Sequence, residues 1–539
     1  MTALVRMPGR AELLSAAAGA GALAAALVWL GPPGTDFAAH VYQQTLWAQH
    51  GFVLWNNFWY AGRYSFVTYS LVYYPLAVLL GIKLLAVLSV ALAVAAFAAV
   101  TYREWGAESR WSIRVFAVVW AALVLSAAYP FMLGCAFALV AIWWLQRGRR
   151  VWFAVSALLA LAASPLSFLL LAVVLAGLAF ARRREAATFV APIVAIAAIG
   201  GLELVLQRMF PSRGRFPFSV EEYAAAAAFC AIGIVMTWHV ARAWALRWVF
   251  VAYLAACSVA FLVSSPIGEN IARLRYVALP LAVLTMSLRN WRPRLVCVAV
   301  VAMAASWNVT PLAASFVHSS DDSASQASYW TPATRFLNAH LEPGYRVEAV
   351  DTRNHWPAYF LARARIPLVR GWFRQEDFPL NRVLYGRFGA EAYVRWLRAL
   401  SVQYVVLTSS PPDYSSRNEA LLLEAGRTKL PVVFSTRKIR IYRVPSPQPL
   451  VTPPAQVLAL GYETIRLAIP RPGSYRVGVS YTPYWQSQAG CLEPTRNGMT
   501  RLVARRAGVV TLRFSVTPSR ALETLAGERE TCSSGAGSR

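Results

Sequence analysis

Apolar residues run almost unbroken through the first three hundred positions, punctuated by short arginine clusters. Runs of this length, with few charges, predict membrane-spanning helices. The pattern places eleven of them near 11–31, 82–101, 112–128, 131–146, 151–164, 166–181, 187–206, 223–241, 247–264, 276–288 and 295–312. The pairs that turn at Tyr129-Pro130 and at Ser164-Pro165 are tight, so their helices are expected to be short or tilted. Between the first and second runs lies a long loop, 32–81, with a helical stretch from Asp36 to His50, an aromatic run and a second, interfacial or re-entrant helix.

Past residue 320 the period changes. Segments 346–351, 402–408 and 438–444 read as strands, and 391–400 and 417–426 as amphipathic helices. This predicts an α/β domain over 328–446. After a proline-rich linker, the alternating segments 463–469, 474–482, 500–506 and 509–516 predict a β-sandwich over 455–517, with a flexible tail at 518–539.

Composition agrees with the pattern. The chain has 539 residues, 58% of them hydrophobic, and a mean hydropathy of +0.46, as expected of a polytopic α-helical membrane protein. Its net charge is +27, almost all from arginine. Those arginines cluster between apolar runs, the positive-inside arrangement, and no nucleic-acid motif accompanies them. Nucleic acid is therefore not an expected partner; membrane lipids are. The clusters place the N-terminus in the cytoplasm, the first run being read as an uncleaved span rather than a signal peptide. An odd number of spans then puts everything after about 315 outside the cell membrane. Cys135, Cys230, Cys257 and Cys297 fall in apolar runs as small buried residues. Cys491 and Cys532 lie in the polar part, where an oxidising compartment would permit a disulfide, and the sequence leaves that pairing open.

Asp36 is the sole aspartate before residue 321. An ionisable group at a membrane is a functional candidate. Asp36 and His40 are four apart and share a face if helical, a spacing suited to proton abstraction from a hydroxyl or to a metal ion. The alternative is that Asp36 only caps the helix. Trp55 and Trp59, with Arg63 nearby, suit stacking and hydrogen bonding to a sugar, or else an interfacial aromatic belt. Arg213, Arg215, Arg273 and Arg275 lie on outer loops against the positive-inside trend, with Glu269 and Asn270 beside the latter pair. Guanidinium groups match phosphate oxygens; the alternative partners are lipid headgroups or Glu221, Glu222 and Glu269. Asn308 opens a glycosylation triplet at a span end, read as chance. No nucleotide loop, zinc motif or nucleophile elbow is present.

These residues carry a resemblance. One span, a long outer loop with an early acidic residue, many further spans and an outer C-terminal domain resemble the GT-C glycosyltransferases, which use polyprenyl-phosphate-linked sugars. The chain is more closely similar to bacterial membrane proteins labelled "6-pyruvoyl-tetrahydropterin synthase-related". The matching positions are Asp36, His40, Gly51, Trp55, Gly62, Tyr74, Pro75 and Leu76, with the loop Pro266 to Leu274 and the C-terminal segments 480–490 and 509–516. The resemblance implies an inner-membrane transferase with an outward site. It would move a sugar from a polyprenyl-phosphate donor to a glycan or lipid acceptor with inversion, Asp36 being the general base and His40 a second catalytic residue that orients or assists it. Trp55, Trp59, Arg63, Arg213, Arg215, Glu269, Asn270, Arg273 and Arg275 would bind substrate. Phe37 stands where many such enzymes have a second acid, so no metal ligand is assigned; a divalent cation is the one cofactor left admissible. A non-catalytic envelope scaffold and a lipid or polymer transporter are the rival readings.

Overall fold

The structure, a computed structural model, describes residues 10–211, 214–378, 380–527 and 532. In chain order, α1 (Arg10–Leu30) is followed by the first-loop elements α2 (Phe37–His50), β1 (Trp55–Asn56), β2 (Arg63–Tyr64) and α3 (Tyr73–Leu80). Then come α4 (Ile82–Trp105), α5 (Arg110–Ala122), α6 (Tyr129–Gln146), α7 (Arg150–Ala163), α8 (Pro165–Ala181) and α9 (Ala186–Met209). The helical series ends with α10 (Val220–Thr237), α11 (Trp244–Leu262), α12 (Ala278–Leu288) and α13 (Arg294–Ser320). Each predicted apolar segment thus contains a helix. Among the described residues, eight stretches are long and apolar enough to cross a bilayer. Two differences separate this from eleven. A one-turn 3-10 link merges α4 and α5 into one 45-residue stretch, and α7 and α8 are shorter than a full span.

The chain divides into two compact units. Unit 1 comprises residues up to Phe37, Tyr69–Leu204 and Arg215–Asp321; unit 2 comprises Ala38–Thr68, Val205–Gly214 and Asp322–Arg539. Most of the first loop, read from sequence as part of the membrane half, therefore clusters with the C-terminal half.

In unit 1 the arginine clusters gather at one rim. Glu12 at the start of α1 approaches Arg110 (3.5 Å) and Arg114 (3.9 Å) of α5, Glu104 of α4 holds Arg182 after α8 at 2.7 Å, and Glu108 holds Arg242 before α11. Close helix contact is bought by small residues: a Cβ at Gly177 of α8 would stand 2.7 Å from Val249 Cα of α11. Elsewhere the helices expose apolar side chains, Leu204 at 68% and Leu295 at 86% among them, an outward surface suited to lipid. The Asn308 amide is buried in α13. Its nitrogen donates to Arg275 O (2.6 Å) and its oxygen accepts from Leu279 N (2.9 Å), tying α13 to the start of α12. Both ends of the triplet's amide are therefore structural.

Unit 2 continues through α14 (Ala327–His340), β3 (Arg346–Ala349), α15 (Trp356–Arg363), α16 (Ala390–Ala399), β4 (Val402–Thr408), α17 (Arg417–Glu424), β5 (Val432–Ser435) and β6 (Ile439–Arg443). The strands pair in the order β3-β4-β6-β5, with β3 and β4 parallel and the rest antiparallel. Then follow β7 (Gln456–Leu460), β8 (Thr464–Ile469), β9 (Gly473–Ser480), β10 (Trp485–Ser487), β11 (Gly490–Pro494), β12 (Met499–Ala504), β13 (Gly508–Phe514) and α18 (Pro518–Ala526). These make a four-stranded sheet, β10-β13-β8-β7, and a three-stranded one, β11-β12-β9. Alternate residues of both sheets, such as Ile465, Leu467, Val477, Leu502 and Leu512, meet in one apolar cluster, the period-2 pattern realised. The β1–β2 hairpin joins that cluster through Trp55 and Tyr64. Cys491 and Cys532 form a disulfide with Cα atoms 5.6 Å apart, closing the pairing the sequence left open.

Candidate functional site

Asp36 is half-buried immediately before α2, with its backbone nitrogen donating to Ser126 O (3.2 Å). Thr35 is fixed beside it by a 3.0 Å hydroxyl contact with Ser315 of α13. Tyr69, also of unit 1, reports what faces this corner. Burial holds its phenol above the ordinary value, the Arg273 guanidinium draws it down and the Asp36 carboxylate pushes it up. A carboxylate and a guanidinium distant in sequence thus act on one hydroxyl. Nothing in the sequence flags Tyr69; only the fold places it there.

Arg273 is carried by the 3-10 segment Gly268–Val277. That segment begins at Gly268, whose φ is +45° and where a Cβ would meet Phe216 O at 2.0 Å, so only glycine fits. The Arg273 guanidinium lies over the Phe131 ring, 5.4 Å from its centroid. It has no ion-pair partner among the described residues. Arg275, two positions on, differs: it is paired with Glu222. This realises the alternative partner of the sequence reading.

Arg273 marks one end of a groove of about 240 Å³ lined almost wholly by apolar side chains of unit 1. The groove follows α6 from Phe131 past Cys135 and Leu139 to Gln146, and α8 from Ser167 to Leu178. Fifteen residue steps of α6 make it about 22 Å long. Its other end carries the Glu104–Arg182 pair.

The remaining predicted residues disperse. Arg215 is exposed, Glu269 and Asn270 are half-buried in the segment that bears Arg273, and Arg213 lies outside the described residues. His40 belongs to unit 2, wholly buried, its ring edge-on to Trp372 at 5.3 Å between centroids. Trp59 is 0% exposed and spends its N–H on Ala358 O (3.0 Å), so it offers no open face to a sugar and its binding role is withdrawn. Trp55 is packed against Phe514 and Trp485. Both tryptophans are core residues of unit 2, not a membrane belt. Trp55 and Arg63 nevertheless line a common cleft of unit 2 together with Glu376 and Asn497, which sequence reasoning missed.

No family model and no curated protein matches the chain.

A second ionisable group lies inside unit 2. Arg370 donates to Asp377 (3.1 Å), Glu419 (3.4 Å), Ser415 (2.8 Å) and Ser416 (2.6 Å). At the carboxyl ends of parallel β3 and β4, His355 Nδ1 meets Asp351 at 2.6 Å and Arg374 meets Asp413 at 2.5 Å. Glu348 is fully buried, and neither of its oxygens has a hydrogen-bond partner among the described residues. Burial, with the Glu419 charge adding to it, raises its carboxyl well above the usual range. Among the described residues no three His, Cys, Asp or Glu side chains are grouped to hold a metal ion.

Proposed function

We infer that the chain is a membrane glycosyltransferase that takes a sugar from a polyprenyl phosphate. One observation carries the reading: the apolar groove of unit 1 ends at Arg273, whose charge and that of Asp36 act on the same tyrosine. A groove of this kind suits a hydrocarbon tail, and a guanidinium at its end suits the phosphate that must depart with that tail. In the reaction, the Asp36 carboxylate takes the proton of an acceptor hydroxyl as its oxygen attacks the anomeric carbon. The bond from that carbon to the phosphate oxygen breaks, and Arg273 stabilises the charge left on the lipid phosphate. Attack opposite the departing phosphate inverts the anomeric centre. The donor is already activated, so no nucleotide is consumed. The acceptor is a glycan or lipid of the envelope, on the outer face of the bacterial inner membrane. The N-terminus is cytoplasmic and unit 2 extracytoplasmic, a side that suits the Cys491–Cys532 disulfide.

The test compares envelope glycans and lipid-linked sugars in strains carrying wild type, a deletion, or Asp36→Asn at equal protein level. The amide keeps the size of the carboxylate but is no base, so transfer is expected to fall at least about 100-fold. An Asp36→Asn profile equal to wild type, beside a defective deletion, removes the catalytic role. It would favour the lipid-transporter reading, which the groove's reach to the Glu104–Arg182 end also suits, or a scaffold.

A further inference from the structure

The cleft of unit 2 has a chemistry of its own. Its cavity measures about 60 Å³ and opens to solvent. One wall is the β1–β2 hairpin with Tyr60, Arg63 and Tyr64; the facing walls bring Glu376, Tyr481 and Asn497. The hairpin is built at a conformational cost. Tyr60, Ala61 and Gly62 stand consecutively in the left-handed region, at φ +56°, +59° and +100°. Two adjacent non-glycine residues there cost of the order of 1–3 kcal/mol each, and such strain gathers at ligand clamps. Gly62 admits no side chain, since a Cβ would meet Trp55 Cζ2 at 2.6 Å. Tyr60 is buried, and its hydroxyl has no hydrogen-bond partner among the described residues.

Charge selects the ligand. Arg63 and Glu376 form an ion pair at 3.8 Å and cancel in charge, Arg63 also donating to the Thr68 hydroxyl at 3.1 Å. A dense array of donors and acceptors with no net charge, beside tyrosine rings, is complementary to a polyhydroxyl ring. Adjacent ring hydroxyls donate to the carboxylate and accept from the guanidinium. A phosphate would be repelled by Glu376.

We propose that this cleft is a binding site for a neutral sugar residue. Binding is read without turnover, so the proposal stands or falls apart from the transfer reading. The full chain in nanodiscs, free of sugar-headed detergent, is applied to immobilised neutral di- and trisaccharides of gluco, galacto, manno and arabino configuration, and to their phosphorylated counterparts. Retention is expected on at least one neutral glycan, weakened tenfold or more by Glu376→Gln and by Asn497→Ala. The second variant alters an exposed turn residue and spares the buried hairpin. Retention on none of the neutral glycans, retention on the phosphorylated ones alone, or retention unchanged in both variants would overturn the proposal.

Discussion

At the scale of single residues, the ionisable interior of unit 2 makes its stability unusually dependent on pH. Burial alone would lower the His355 imidazole, but the Asp351 carboxylate overrides it and raises the group above its ordinary 6.5. Glu348 is likewise raised, by burial first. Both groups hold their protons more tightly folded than unfolded. Their contributions are full below the unfolded values, near 6.5 and 4.5, and are lost as pH rises through the folded ones. Asp413 runs the other way. Burial opposes its charge, yet Arg374 and His355 hold it at about 2, so its contribution is lost only as pH falls toward that value. Unit 2 should therefore weaken as pH climbs above about 4.5, and Glu348→Gln should flatten that slope. Hydrogen exchange on peptides from β3 and β4, corrected for intrinsic rates, measures both. Arg370→Met strands two buried carboxylates and should destabilise the unit by about 3–5 kcal/mol, read the same way. None of this was legible beforehand. In sequence, Glu348, Arg370 and Glu419 look like ordinary surface charges, and only long-range packing brings them together.

At the scale of elements, the helices were legible and their use was not. Apolar runs punctuated by arginine mark helices because every backbone group must bond within its own segment. Which faces leave a groove depends on how helices cross, and that is set by contacts such as Gly177 against Val249. Arg273 and Arg275 look equivalent in the sequence; on a 3-10 segment they point different ways, one to the groove and one to Glu222. Trp55 and Trp59 show the same limit, since an aromatic run reads alike as platform, belt or core. The groove makes a direct prediction. Leu139→Trp on α6 narrows it midway without touching Asp36 or Arg273. Native mass spectrometry of the purified protein should find a polyprenyl phosphate retained by wild type and lost, about tenfold or more, from the variant. Equal retention would take the lipid out of the groove.

At the scale of the whole molecule, the two units draw on different parts of the chain than hydropathy suggests. Residues 38–68 look like a membrane loop, yet they complete the apolar cluster of the C-terminal sheets. Non-local pairing of this kind leaves no periodic trace. The disulfide closes a loop over a sequence separation of 41. By the loop-entropy relation it contributes up to about 4 kcal/mol. Cys532→Ser should lower the heat stability of unit 2 and expose the Cys491 thiol to maleimide, while in wild type Cys491 stays unlabelled until reduced. The groove also implies an economy of recognition. Under the proposed function its length of about 22 Å would follow only the first stretch of a long isoprenoid, and whatever lies beyond would lie among bulk lipids. The protein would then read the head and neck of its donor and ignore the remainder. Hosts whose carriers differ only in tail length should be able to exchange this gene, each complementing the other's loss.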